Sequence, residues 1–508
     1  MKIAYIPIDE RPCNVTYVQM IASSSTDVEL IMPNLELLGK KKEAGDTEGL
    51  WTWIRRISGQ VDAFILSIDM LIYGGLLPSR LHYLEENIRT VWVERLRALR
   101  RDYPKLEIYA SNLIMRTPKY SSSDEEPEYY EHWGQEIFLR AYLIDKQKRE
   151  ELSQDEQKQL DNIIEILPEK FIKDYETRRQ FNLAINLQML ELVHEGVLTF
   201  LSIPQDDSAE FGYTAMDQSD VASMRENLRL HKKVHMYPGA DEVGATLLSR
   251  AYNAWKNQRP KIFPIWSSTL GPQLIPMYED RPYAESLKAH VLAAGCQLVD
   301  TAEGADLILA YNTPGRVIQE SWEQSKKDIT YTSFRNMLSF VDQIKSFILS
   351  GKKVIVADSA FANGGDRELI TLLDEEKILD KLVSYKGWNT NCNSLGTTIC
   401  QGVLGKEGDS LLIKKNLIYH LLDDYFYQAE IRMEMVADFL PKYNLTYFDL
   451  GKLAPLVNQE RDERLLKRFN NQILFSFKDI KLENVATFAP WNRMFECGIV
   501  INYKIKEV

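Results

Sequence analysis

The stretch VLTFLSIPQDDSAEFG (Val197–Gly212) joins an apolar run to a proline and then to two adjacent aspartates, Asp206 and Asp207. A short continuous apolar run bounded by turn residues reads as a strand buried on both faces. The aspartates follow its carboxyl end. Neighbouring carboxylates repel, so something must reward keeping them together.

The same pattern recurs along the chain. KIAYIPID starts at Lys2, VELIMP at Val28, AFILSID at Ala63, LEIYASN at Leu106 and KVHMYPG at Lys233. KIFPIWSS starts at Lys261, ADLILAYN at Ala305, KKVIVADSA at Lys352 and KLVSYKGWN at Lys381. Most of these runs precede a polar loop and a helical pattern, the signature of a parallel α/β sheet. With the opening stretch they make ten strands, too many for a simple eight-stranded barrel. The runs at 261 and 305 bracket a compact strand-helix-strand unit, and setting them aside leaves eight. The expected fold is therefore a (β/α)8 TIM-like barrel with a small Rossmann-like insertion. Its first six βα units span 1–258, the inserted βαβ unit spans 259–320 and the last two barrel strands span 321–404. The run VIVADSA should rejoin the main sheet. The alternative is two separate doubly wound units. Beyond Gly405 long amphipathic helices such as NLIYHLLDDYFYQAEIRMEMVADFL lead to a β-ribbon, a helical and ribbon extension over 405–508.

Composition narrows the function. The chain has 508 residues and a net charge of −12, which gives no electrostatic case for nucleic acid or anionic lipid as a partner. Five scattered cysteines form no Cys-x-x-Cys pair and read as reduced thiols. The start MKIAYIPIDERP lacks a signal-peptide core, and no run is long enough to span a bilayer. A cytoplasmic protein is expected, without membrane partners; a homo-oligomer is compatible with the sequence.

In a barrel the active site lies at the carboxyl ends of the strands. The residues found there are Asp9 and Arg11 after the first run, Asp69 after the third, Asn112 after the fourth, and Asp206 and Asp207 after the fifth. Tyr237, Asp241 and Glu242 follow the sixth, Asp358 follows the run at 352, and Trp388 and Asn389 follow the last. Carboxylates and amides bond hydroxyls, and aromatic faces pack on sugar rings, so the rim suits a small neutral carbohydrate. Taken singly, each of these residues also reads as an ordinary polar loop end or helix cap. For Asp206 and Asp207 the competing reading is an Asx-turn with a helix cap. Asp241 and Glu242 read as acids at a helix start. FANGGDRELI lacks the Lys-Ser/Thr of a P-loop and reads as a turn; APWNRMFE reads as a hairpin corner. The one H-x-x-x-H spacing, His231 and His235, falls partly on a strand, so no zinc site is expected. No cofactor and no metal are expected.

Two close carboxylates rarely ionise together, and the one kept protonated is a proton donor near neutral pH. Neighbours in sequence approach a glycosidic bond from one side, which suits a route where the sugar's own 2-acetamido oxygen attacks. Asp207 would then be the acid/base and Asp206 the residue that orients the acetamido nitrogen. The competing functions are a carbohydrate-binding or regulatory protein without chemistry, and a Mg²⁺-dependent phosphoryl-transfer or lyase enzyme.

The motifs YIPIDERPCN, SIDMLIYGGLLPSR, IPQDDSAEFG, YPGADEVG, DSAFANGGD, GWNTNCNSLGT and PWNRMFE together resemble a bacterial family long catalogued as a domain of unknown function. That family has been connected with glycoside hydrolases acting on N-acetylhexosaminides. The resemblance spans essentially the whole chain. It implies that Asp206 and Asp207 are the catalytic pair of a glycoside hydrolase removing terminal N-acetylhexosamine, with N-acetylgalactosamine favoured. Other substrate-assisted hexosaminidases usually carry the pair after the fourth barrel strand; here it follows the fifth run.

Overall fold

The computed structural model describes residues 1–505, so the last three residues of the expected ribbon lie outside it. The chain packs as two units. The first holds Met1–Glu10, Leu30–Leu247 and Tyr278–Asp280; the second holds Arg11–Glu29, Leu248–Met277 and Arg281–Val508.

The first unit is built on a six-stranded sheet of β1 (Lys2–Ile6), β2 (Glu29–Ile31), β3 (Ala63–Ser67), β4 (Glu107–Ser111), β5 (Phe200–Gln205) and β6 (Val234–Pro238), in the order β2-β1-β3-β4-β5-β6. From β1 to β6 the pairings are parallel. Every residue of β3 and β5 is buried, as a sheet covered on both faces requires. The helix Thr47–Ile57 illustrates how the cover forms. Asp46 caps it by accepting from the Gly49 amide at 2.9 Å, and Leu50, Trp53, Ile54 and Ile57 make one buried stripe. Trp53 meets Phe64 of β3 edge-on at 6.5 Å.

The second unit holds β7 (Lys261–Trp266), β8 (Gln297–Leu298), β9 (Leu307–Asn312), β10 (Lys353–Asp358) and β11 (Ser384–Lys386), all parallel, in the order β11-β10-β9-β7-β8. The helix Asn391–Gly405 is buried along its whole length. Gly402 lets it approach the sheet: a Cβ there would lie 2.9 Å from Ile355 Cγ2 of β10. The antiparallel pair β12 (Ile480–Phe488) and β13 (Gly498–Ile505) closes the chain.

All ten apolar runs are strands, but the eight-stranded barrel expected from their number does not form. The strands set aside as an insertion, β7 and β9, sit in the middle of the second sheet. VIVADSA joins them there, because β10 pairs with β9 and β11. In both sheets the second strand lies outside the first and later strands extend the other way, the order of the alternative doubly wound arrangement. An apolar run states that a strand is buried, not which strand lies beside it. The expected long amphipathic helix is also corrected. Leu421–Ile431 is wound as a π-helix between the helices Ser410–His420 and Arg432–Asp438, and all of its residues are buried. Among the described residues no helix is long and apolar enough to cross a membrane.

Replacing Leu50, fully buried in the stripe of the helix Thr47–Ile57, tests this account of the first sheet's cover. Leu50→Ala should cost about 2–5 kcal/mol in urea unfolding, whereas the exposed neighbour Glu48→Ala should change it by less than about 0.5 kcal/mol.

Candidate functional site

Asp206 and Asp207 lie just past β5, and two arginines from neighbouring strand ends meet them. Arg80 is delivered by a sharp reversal after β3. The helix Ile68–Tyr73 ends on Gly74, whose φ of 82° and crowding by Ala44 and Gly45 call for glycine. Pro78 then starts the short helix Pro78–Leu81 that carries Arg80. Arg116 arrives differently. Beyond β4 the chain stays in the ladder, with the amides of Asn112 and Ile114 donating to the carbonyls of Ser202 and Pro204 at 3.0 Å each. That extension runs Arg116 alongside Asp207, and Tyr175 Oη pins the Arg116 carbonyl at 2.9 Å.

The guanidinium groups meet four carboxylates. Arg80 Nη2 donates to Asp206 Oδ2 at 2.7 Å, and Arg80 Nη1 lies 3.2 Å from Glu125 Oε2 and 3.3 Å from Glu126 Oε1. Arg116 donates to Glu126 Oε1 at 2.8 Å, Glu125 Oε2 at 2.8 Å and Asp207 Oδ2 at 3.0 Å. The Arg80 and Glu126 side chains are 2% and 1% exposed, against 24% for Asp207. Lys42 Nζ holds the glutamate loop by donating to the Glu126 carbonyl at 3.1 Å.

Four carboxylates against two guanidiniums leave an excess of negative charge in a poorly hydrated place. Burial, with the Asp206 charge adding to it, pushes the Asp207 carboxyl up to about 6 despite the Arg116 guanidinium. Asp207 also holds a left-handed backbone, φ 43°, a strained state for a non-glycine residue. Neither aspartate caps the next helix: Tyr213–Asn227 begins at Gly212 without a side-chain cap, and the Gly212 amide donates to Asp145.

The other expected residues divide between the units. In the first, Asp69 accepts from Asn112 Nδ2 at 3.2 Å and from the Leu113 amide at 3.0 Å, and Asn112 Oδ1 accepts from Asn186 at 2.7 Å. Burial pushes Asp69 up to about 7. Tyr237 is buried against Ser202 Oγ, 3.0 Å away. Glu242 folds back to accept from the Ala240 amide at 3.1 Å; Asp9 and Asp241 are also buried.

In the second unit, Asp358 accepts from Asn312, the Asp366 amide and Tyr385 Oη at 2.7–2.9 Å, and burial raises it to about 7. Asp366 caps the helix Arg367–Glu375. Trp388 packs edge-on to Tyr17, and the Asn389 carbonyl accepts from the Asn363 amide at 2.8 Å. Arg11 lies over the Trp491 ring at 4.6 Å and 3.7 Å from Glu496. PWNRMFE is thus the corner between β12 and β13, and it covers Arg11. The single rim expected for a barrel is corrected: these residues sit at the ends of two sheets.

Sequence reading gave no role to Arg80, Arg116, Glu125 or Glu126. The usable signal was charge complementarity: a lone arginine follows β3 and another follows β4, and the long connection after β4 opens with the run Asp124-Glu125-Glu126.

Two open parallel sheets with charged networks at their carboxyl ends define an α/β protein of doubly wound strand order. The family described as protein of unknown function (DUF4127) matches residues 3–500, and the chain belongs to that family. A search of curated proteins finds no significant match.

The arginine cluster predicts a large penalty for breaking it from one side. Arg80→Met leaves the half-buried Asp206 without its cation and the buried Glu126 with Arg116 alone, and should lower stability by about 3–5 kcal/mol. Urea denaturation of both proteins at neutral pH measures the difference.

Proposed function

We propose that this chain is a retaining glycoside hydrolase that removes terminal N-acetylhexosamine, N-acetylgalactosamine in the first place, by a substrate-assisted route. The observation that carries the reading is the inequality of two adjacent aspartates. Asp206 is ion-paired at 2.7 Å to a buried arginine, while the more exposed Asp207 has its carboxyl pushed up to about 6. A neighbouring pair in which one carboxyl group is raised in this way can divide the roles of acid–base chemistry.

In the first step the substrate's acetamido oxygen attacks the anomeric carbon and the bond to the leaving oxygen breaks. Asp207 gives its proton to that oxygen. Asp206 accepts from the acetamido N–H and stabilises the positive charge on the cyclised sugar. In the second step water attacks the anomeric carbon, Asp207 takes its proton, and the bond from that carbon to the acetamido oxygen breaks, which restores the acetamide. Glu126 Oε2 and Ser208 Oγ support a hydroxyl-rich ligand here: both are buried and have no hydrogen-bond partner among the described residues. A second reading, a carbohydrate-binding protein without turnover, draws support from the ion pairing of both aspartates.

Aryl glycosides of graded leaving-group ability, with and without the 2-acetamido group, separate the two readings. Asp207→Asn should lose roughly 10²–10⁴-fold in kcat on poor leaving groups and less on activated ones. Asp206→Asn should lose rate evenly across the series. Because the acid form of Asp207 is the active one in the first step, wild-type kcat/KM should fall as pH rises through about 6. Absence of turnover on every acetamido glycoside, with sugar binding retained, would favour the second reading.

A further inference from the structure

The helix Glu169–His194 carries a second feature that the aspartate pair does not use. Its N-terminal half, the loop after the short helix Pro78–Leu81 and the start of the helix Glu86–Asp102 enclose a groove of about 730 Å³ in the first unit. Its walls are apolar in substance: Phe181, Leu84, the Tyr83 ring and the stems of long cations. Tyr83 stands 82% exposed at the lip, with the Arg178 guanidinium 5.1 Å from its ring centre.

The charged lining is four cations, Arg89, Lys170, Lys173 and Arg178, against three carboxylates, Glu85, Glu86 and Asp174. Arg178 gives Nε to the His82 carbonyl and Nη2 to Asp174, both at 2.9 Å, and its side chain is 2% exposed. Arg178 Nη1 has no hydrogen-bond partner among the described residues, and neither has Nε of Arg89, which also lines the groove. Asp174 is already committed, since it also accepts from Tyr129 Oη at 2.7 Å. Glu86, the partner of Arg89, is 89% exposed, so that pair is a weak one. Burial lowers His82 to about 4, which leaves the ring uncharged.

Lys170 and Lys173 complete the set. Both lie near the start of a 26-residue helix, at the positive end of its dipole. Cations there are disfavoured, and bound anions are favoured. Lys170 Nζ lies over the Phe171 ring at 4.8 Å. The groove thus combines two guanidinium nitrogens that have no hydrogen-bond partner among the described residues, two cations at a helix start and an exposed aromatic face, in a chain whose net charge is −12.

We infer that this groove binds an acidic sugar, with its carboxylate or phosphate oxygens on Arg178, Lys170 and Lys173 and its ring against Tyr83. The sugar part rests on the glycoside hydrolase reading; the anionic part does not. The walls are tied to the arginine cluster through short links. Asn182 donates to the Ser79 carbonyl, next to Arg80, at 2.8 Å, and Arg179 donates to the Arg116 carbonyl at 3.3 Å. A charged residue of a longer glycan could therefore be held by the same scaffold that holds the aspartate pair.

Isothermal titration of the full-length protein tests the inference with three probes: a galacturonic acid trisaccharide, N-acetylglucosamine 1-phosphate and a neutral galactose trisaccharide. At least one anionic probe should bind about tenfold or more tighter than the neutral one, and less tightly as salt rises. Tighter binding of the uronate marks a carboxylate ligand, and tighter binding of the sugar phosphate marks a phosphate; either supports the site. The exposed changes Lys170→Glu with Lys173→Glu should weaken the anionic probe about tenfold or more, and Tyr83→Ala should weaken it too. Equal binding of neutral and anionic probes, no binding of either anion, or binding indifferent to the lysine changes would overturn it. The heat of binding is read without turnover. Anion binding by a wild-type protein that turns over no acetamido glycoside would sink the catalytic reading alone.

Discussion

Two guanidinium groups buried among four carboxylates set the terms for the first unit. Removing charges from water costs several kcal/mol per ion, and attraction offsets that only where the geometry is good. Arg80 and Arg116 meet the condition because β3, β4 and β5 are adjacent and parallel, so their carboxyl ends open on the same side. The glycine reversal after β3 and the extended ladder after β4 then bring the two side chains to the aspartates after β5. The cations are outnumbered, and protonation of Asp207, the most exposed of the four carboxyl groups, relieves the surplus negative charge. Burial is the larger cause of its raised carboxyl, and the neighbouring Asp206 charge adds to it.

The second unit treats the same kind of residue differently. Asp358 is surrounded by Asn312, Tyr385 and the Asp366 amide, and Arg335 pairs with Asp366 while wholly buried. Deeper still, His420 Nδ1 lies 3.0 Å from Asp424 Oδ2, and Tyr17 donates to Asp423 at 2.7 Å. Burial lowers Lys386 to about 7 and raises Asp424 to about 7. The residues named in these networks are closed in by protein. Not every polar atom in them is satisfied: Arg335 Nε and Nη1, His420 Nε2 and Asp423 Oδ1 have no hydrogen-bond partner among the described residues. Asp206 and Asp207 differ in keeping part of their surface open, which is what chemistry on a ligand requires.

How much of this was legible follows from what a sequence encodes locally. Burial on both faces is local, so each apolar run from Lys2 to Lys381 read correctly as a strand. Pairing is not local: nothing in VIVADSA says that its neighbours are LILAYN and SYK. The two-residue strand β8 is too short to leave a pattern. Asp206 and Asp207 stood out because adjacent acids after a strand are conspicuous, whereas Glu125 and Glu126 lie in a long connection whose path only the tertiary fold decides. Asp358 stands at the carboxyl end of β10, and its hydrogen bonds to Asn312, the Asp366 amide and Tyr385 are contacts that the run KKVIVADSA does not reveal.

The account rests on Asp207 being the carboxyl group that keeps its proton. Carbon-13 NMR of protein labelled at the aspartate carboxyl carbons, with the Asp206 and Asp207 signals assigned by their Asn variants, observes this directly. The Asp207 signal should titrate with a midpoint of about 6 in the wild type and move to lower pH in Asp206→Asn, where the neighbouring charge is gone. A wild-type midpoint at or below the ordinary aspartate value of about 4 would show that the arginines prevail over burial, and would contradict the assignment of Asp207 as the proton donor.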